Sequence, residues 1–324
     1  MDRHRARGRR ARPSRRKPLL YTVVASAVLV GATAAGTVYM KAQAHDGPAV
    51  VSSAAAATAT ASPSSSPAAG EEASVEPVAE PSVDRDALLA KALKAVPVAD
   101  GAKTAVAVLD LDSGESAAHG DTAFDTASIV KVNILATLLL QAQDADRHLT
   151  TQEKTYATAM IENSDNASAT ALWAAIGRAD GLDTANKRFG LTDTQGGDGE
   201  LWGLTQTTAS DQLTLLRQVF GDDSKLSDTS RSYLQGLMGK IETDQRWGVS
   251  AAADGSQWAL KNGWLARSTT GLWDVNSIGR ISADGHDYLV ATLSNGNSTQ
   301  AKGISLVEAV AKAALSAFQD AAED

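Results

Sequence analysis

Strand-like patterns lie at the two ends of the globular part of this chain, and helical ones fill the middle. Residues 104–111 read as a strand that turns at Asp112-Ser113-Gly114 into a second, short one. Three further strand-like runs come late, at residues 257–261, 272–282 and 287–294. The last two are joined by Ala283-Asp284-Gly285-His286, whose Asp-Gly pair suits a hairpin turn. Between the two sets the pattern is α-rich, from about residue 127 to 240. Thr150 with Glu153 has the spacing of a capping box at the start of one helix. Ser82 is the candidate cap of a first helix, and residues 306–318 form an amphipathic closing helix. A five-stranded antiparallel sheet can form from this order only if both ends of the chain come together.

What precedes residue 82 has a different character. Residues 1–18 carry eight Arg and one Lys against Asp2, a net of +8; the whole chain is −8, so residues 19–324 carry −16. An acidic bulk disfavours nucleic acid, so no nucleic-acid partner is expected. Residues 19–40 run for 22 residues without a charge. A bilayer span needs roughly 20 apolar residues. Basic residues ahead of the run place the N-terminus inside. Ala42-Gln43-Ala44 resembles a small-x-small cleavage site, and Ser14 to Leu20 loosely resembles a twin-arginine signal. Residues 19–44 therefore read as a membrane anchor or as a cleaved signal, and either means export. Residues 45–81 are Ala, Ser, Thr, Pro and Glu with almost no large apolar side chain, the composition of a flexible linker. At roughly 5–6 Å × √n it would reach on the order of 35 Å. The domain proper is residues 82–324. There is no cysteine, which excludes disulfides and thiolate chemistry. The five histidines are scattered without metal-ligand spacing, so neither a metal nor a cofactor is expected, and the chain is taken as a monomer.

Three tripeptide-scale motifs carry chemistry. Ser128 and Lys131 stand at i, i+3 at the start of a run that is apolar nearly all round, from Ile129 to Leu139. A serine there has its Oγ near the positive end of a helix, capped by Asp125 or Thr126. A lysine packed into an apolar helix has its charged form penalised, as a lysine base requires. Ser164-Asp165-Asn166 falls between two helices, 36 residues on. Ser164 could pass a proton to a leaving amine, Asn166 could hold a substrate amide and orient Lys131, and Asp165 would brace the loop. Lys261-Asn262-Gly263-Trp264 ends a strand-like run. Lys261 could hold a substrate carboxylate, and Gly263 lets a ligand lie along the strand edge. The backbone N–H groups of Ser128 and Trp264 would converge as an oxyanion hole. Each motif has a plainer reading taken singly: a solvated lysine with a capping serine, an N-cap cluster, and an Asn-Gly hairpin turn.

The order S-x-x-K, S-D-N, K-x-G removes much of that ambiguity. From about residue 82 to 318 the chain resembles the class A β-lactamase family of serine hydrolases. Thr207-Thr208-Ala209 leading into a helix and residues 271–281 as the strand beside Lys261 support the likeness. The resemblance implies an α/β (α+β) sandwich: a five-stranded antiparallel sheet with flanking helices, plus an all-helical lobe inserted between its strands, with the cleft between the two. It implies an acyl-enzyme at Ser128, with a β-lactam or a D-amino-acid cell-wall peptide as the small-molecule partner, or a non-hydrolytic sensing domain. Two departures stand out. The Glu-x-x-Leu-Asn motif whose Glu activates the deacylating water is absent, and Glu200 is the one glutamate between Thr192 and Thr208. Asn262 replaces the Thr or Ser whose hydroxyl would bind a substrate carboxylate. Both argue against efficient antibiotic hydrolysis, and the missing glutamate argues for slow release of an acyl group.

Export has a direct test. Protease added to spheroplasts should cut between Ala54 and Pro81; complete protection, with the domain recovered in the cytosol, would overturn it.

Overall fold

The computed structural model describes residues 83–319. The basic head, the apolar run and the linker lie outside these residues. Among the described residues no helix is long and apolar enough to cross a membrane.

The early and late strands of the domain do meet. Strands β1 (Lys103–Asp110), β2 (Ser116–His119), β5 (Trp258–Ala266), β6 (Trp273–Ala283) and β7 (His286–Asn297) form one antiparallel sheet in the order β2-β1-β7-β6-β5. The pairing of β1 with β7 runs from Lys103 opposite Asn295 to Asp110 opposite Tyr288. The β6–β7 hairpin turns on Asp284 and Gly285, both at positive φ (50° and 83°), as a tight turn matched to strand twist requires. A second ladder of two residues per strand pairs β3 (Phe124–Asp125) with β4 (Gln206–Thr207); strands so short leave no periodicity to read.

Successive side chains of a strand point to opposite faces, and β1 shows the consequence. Ala105, Ala107 and Leu109 join one core cluster; Val106 and Val108 join another. The second cluster is covered by α1 (Arg85–Leu93), through Leu89, and by α8 (Gln300–Gln319), through Leu306, Val310, Ala314 and Phe318. The first is covered by a helical lobe of α2 (Val130–Asp144), α3 (Thr151–Glu162), α4 (Asn166–Ala175), α5 (Arg178–Phe189), α6 (Ala209–Phe220) and α7 (Asp228–Met238). Twelve of the fifteen residues of α2 are buried, as a helix apolar nearly all round demands.

Local signals placed most boundaries, with three corrections. Asp84, not Ser82, caps α1, accepting from Ala87 N at 3.0 Å. Neither Asp125 nor Thr126 caps the Ser128 segment: Ser128 lies in a 3-10 turn, Ala127–Ile129, ahead of α2, Thr126 makes no side-chain cap, and Asp125 is taken by Arg267 and Gln206. Lys261-Asn262-Gly263 is no turn; β5 continues through it to Ala266 because β6 pairs with it residue by residue. The capping box at Thr150 and Glu153 forms as the spacing requires.

One buried carboxylate holds the connection between α5 and α6. Asp211 is 4% exposed, in the first turn of α6, and accepts from Asp193 N (2.8 Å), Thr192 N (3.3 Å) and Thr194 Oγ1 (2.7 Å). Replacing it by Ala strands two backbone donors and leaves the Thr194 hydroxyl only Thr207 Oγ1 at 2.8 Å, so Asp211→Ala should lower unfolding free energy by about 3 kcal/mol. Urea denaturation checks this; a loss below about 1 kcal/mol would mean water replaces the carboxylate.

Candidate active site

The turn that carries Ser128 is held against the sheet by two residues of facing strands. Gly263 on β5 pairs with Asn276 on β6. A Cβ on Gly263 would lie 2.7 Å from Ser128 N and 2.8 Å from both Ile129 N and Thr126 O, so only glycine lets the strand come this close. Asn276 is fully buried and donates to the carbonyls of Asp125 (2.9 Å) and Thr126 (3.1 Å), while its Oδ1 accepts from Ser294 N at 3.1 Å. The pinned turn includes Ala127 at φ 48°, an unfavourable value for a residue with a side chain. Sequence reasoning missed Asn276. Its signal was a polar side chain inside the strand run Val275 to Ile278.

Lys131 projects from the first turn of α2 and is fully inaccessible. Its Nζ donates to Ser164 O (2.7 Å), Ser164 Oγ (3.1 Å) and Asn166 Oδ1 (2.8 Å). These use all three protons of an ammonium. Burial, only partly countered by the charge of Asp165, lowers its pKa to about 7. Ser164 ends the α3–α4 connection at φ 56°, which turns both its carbonyl and its hydroxyl toward the lysine. Asp165 caps α4, accepting from Ser168 N at 2.7 Å, the bracing role its place in the loop suggested.

Lys261 reaches the same hydroxyl from the sheet. Its Nζ is 3.0 Å from Ser164 Oγ, 3.0 Å from Asn262 O and 3.5 Å from Gln245 Oε1. It has no exposed surface, and burial together with the charge of Lys131 lowers its pKa well below the usual lysine value. The amine of Lys261 therefore faces Ser164, and Lys261 is not among the residues lining the cleft beside Ser128. Ser164 Oγ accepts from two amines, which fills its lone pairs and leaves its own proton for a third partner.

The Asn262 amide is buried and donates to Gln245 O (2.6 Å) and Trp247 O (2.9 Å), so it ties β5 to the segment beneath. Trp264 packs on Trp247, ring centroids 5.9 Å apart, which leaves its backbone on the edge of the sheet. A cleft of about 640 Å³ opens beside Ser128, with Asn166, Trp202, Trp264, Glu200 and Arg267 among its lining. Glu200 stands at the rim: its side chain is half-exposed and bonded to Arg178 Nε at 2.7 Å, and it makes no bond to Ser128, Lys131 or Asn166. Trp258 and Trp273 are not part of the lining.

One group with metal-ligating character lies elsewhere. Asp110, Asp112 and His286 bring a ligand atom each within 4.8 Å of one another, and residues 110, 112 and 286 are too far apart in sequence for spacing to reveal it.

Both amines bind fewer protons folded than unfolded between their lowered values and the ordinary lysine value. Stability should therefore rise with pH from about 7 toward 10. Lys131→Met and Lys261→Met should each flatten part of that rise in urea denaturation at pH 7 and 9.5; an unchanged slope in both would refute the desolvation argument.

Known proteins share this architecture. The sequence profile described as the Beta-lactamase enzyme family matches residues 88–157 and 152–318. "Putative lipoprotein LppW" of Mycobacterium tuberculosis (strain ATCC 25618 / H37Rv) is 26% identical over 201 residues, 58% of this chain, and the chain spans only 63% of that relative's length. Among solved structures, PBP-A is similar at TM-score 0.62 and 21% identity, over 72% of this chain and 96% of its own. The TLA-1 extended spectrum β-lactamase is similar at TM-score 0.63 and 17% identity, over 72% and 98%. A representative class A β-lactamase from Bacteroides cellulosilyticus DSM 14838 is similar at 0.62 and 16%, over 73% and 99%. At these identities the structures speak for the fold alone. The profile spans well over half of the 324 residues, and on that match the chain belongs to the Beta-lactamase enzyme family.

Proposed function

We propose that the chain is a β-lactamase-like serine hydrolase that forms an acyl-enzyme at Ser128 and releases it slowly. The observation that carries this reading is the Ser164 hydroxyl, which accepts from the desolvated amines of Lys131 and Lys261, with Lys131 three residues after Ser128. A neutral Lys131 keeps two N–H donors and gains a lone pair, so it can accept the Ser128 proton as Oγ attacks an acyl carbon. The Oγ–C bond forms, and the carbonyl π electrons move to oxygen, where backbone N–H groups of Ser128 and Trp264 would receive them. The C–N bond then breaks. The leaving nitrogen takes a proton from Ser164, which Lys131 replenishes. Asn166 orients Lys131 and offers its amide N–H to the substrate.

Hydrolysis of the ester needs a base for water, and here the reading rests on Glu200 being held away by Arg178. β-Lactams are the proposed substrates, since their strained amide acylates a serine without help beyond this set. The same geometry serves a D-amino-acid cell-wall peptidase or amidase, and a domain that stays acylated would act as a β-lactam sensor. All three readings place the domain outside the cytoplasm. The charge-free run at residues 19–40 would anchor the domain outside the membrane, or release it if cleaved near Ala44. A mycobacterial relative named as a lipoprotein is in keeping with export, although a chain without cysteine has no thiol to lipidate.

Ser128→Ala should abolish covalent labelling by penicillin or a fluorophosphonate without unfolding the protein; labelling that persists puts the nucleophile elsewhere. Lys131→Ala should slow acylation by about 10²–10⁴. A chromogenic cephalosporin should give a burst near one equivalent and then a shallow steady rate, with the adduct visible by intact mass. Glu200→Gln should leave both phases unchanged. Sustained turnover above roughly 10 s⁻¹, the median for enzymes, would refute slow release, and its loss in Glu200→Gln would make Glu200 the deacylating base.

A further inference from the structure

The loop that precedes β4 brings an aromatic face, not a carboxylate, to the lysine. Trp202 opens a 3-10 turn, Trp202–Leu204, and its ring centroid lies 5.0 Å from Lys131 Nζ. The indole is fixed: Nε1 donates to Thr170 Oγ1 on α4 at 3.1 Å. The loop beneath is fixed as well. Trp173 Nε1 donates to Gly199 O at 2.7 Å, and Gly197 N donates to Thr205 Oγ1 at 3.1 Å. Gly197 packs so closely that a Cβ would lie 2.2 Å from Leu201 O, and one on Gly196 would lie 2.8 Å from Ala179 Cα. Glu200, two residues before Trp202, is turned outward to Arg178.

We propose that Trp202 is the positioning residue of Lys131: its π face stabilises the ammonium form and so sets the pH above which Lys131 can serve as a base at Ser128. A cation gains from the electron-rich face of an indole, and the gain grows when water is excluded. The groups facing Lys131 from every side are few. Ser164 and Asn166 supply oxygen acceptors, Asp165 supplies a nearby negative charge, and Lys261 of β5 supplies a competing positive one. Trp202 completes the enclosure from the loop. Burial alone would drive Lys131 toward the neutral amine; the indole works in the opposite direction, so removing it lowers the titration midpoint. The inference rests on the acyl-enzyme reading for its rate measurement only.

The test uses the full chain labelled with [¹³Cε]lysine, with the Lys131 resonance assigned through Lys131→Met, and follows its titration in wild type, Trp202→Leu and Trp202→Phe. Leu keeps apolar cover without a π system, and Phe keeps a weaker π face. The midpoint should fall by roughly half to one pH unit in Trp202→Leu and by less in Trp202→Phe. The pH profile of acylation by penicillin G should move down with it, so that the variants react faster than wild type below the wild-type midpoint. An unchanged or raised midpoint overturns the proposal and reduces Trp202 to packing; Trp202→Phe decides alone if the Leu variant does not fold. If no probe acylates Ser128, the acyl-enzyme reading fails while the lysine titration still decides the role of Trp202.

Discussion

Two lysine amines share one serine hydroxyl in the interior of this protein, and much of the surrounding structure exists to make that tolerable. Charged amines cost several kcal/mol each when taken from water without a counter-charge. The partners of Lys131 and Lys261 are hydroxyl, amide and carbonyl oxygens, none of them a carboxylate. The protein meets the cost by lowering both pKa values and by spending a positive-φ serine, a helix-opening asparagine and a buried glutamine as acceptors. A lysine near pH 7 is what a proton-accepting role at a serine requires, and its burial, rather than any single neighbour, is what produces it.

That pair can meet only because a helix and a sheet approach at backbone distance. α2 brings Lys131 from the lobe, and β5 brings Lys261 from the edge of the sheet. Gly263 permits the approach, and Asn276 secures it by bonding the carbonyls of Asp125 and Thr126. Among the described residues no strand pairs with β5 on its outer side, so β5 is an edge strand of the sheet. The lobe is inserted between β2 and β5 in sequence, which is why a cleft at this junction requires no further domain.

The loop before β4 is where this chain departs from what its motifs led one to expect. It is built tightly, with Gly196 and Gly197 packed against neighbouring backbone and two tryptophans bonded to or from α4. Glu200 faces Arg178 at the rim, and Trp202 faces Lys131. Asn262 likewise holds a family position with different work, tying β5 to the carbonyls of residues 245 and 247.

Short-range signals determined a good deal. The strand and helix runs required the chain ends to meet, since strands placed only at both ends have no other partners. The apolar run behind Ser128 and Lys131 pointed to a buried helix, and a lysine packed into it to a desolvated amine. Thr150 and Glu153 determined a helix start, because a capping box is made within four residues. Other features were decided only by tertiary structure. Asn-Gly at 262–263 has the dipeptide of a turn, but pairing with β6 holds it in a strand. Whether Lys261 faces the cleft or Ser164, and whether Glu200 or Trp202 reaches Lys131, depends on contacts between residues 22 to 97 positions apart, and no local pattern encodes them. Asn276 is decisive for the position of Ser128, yet it lies about 150 residues away along the chain. Its role comes from a hydrogen bond that exists only once the sheet has closed.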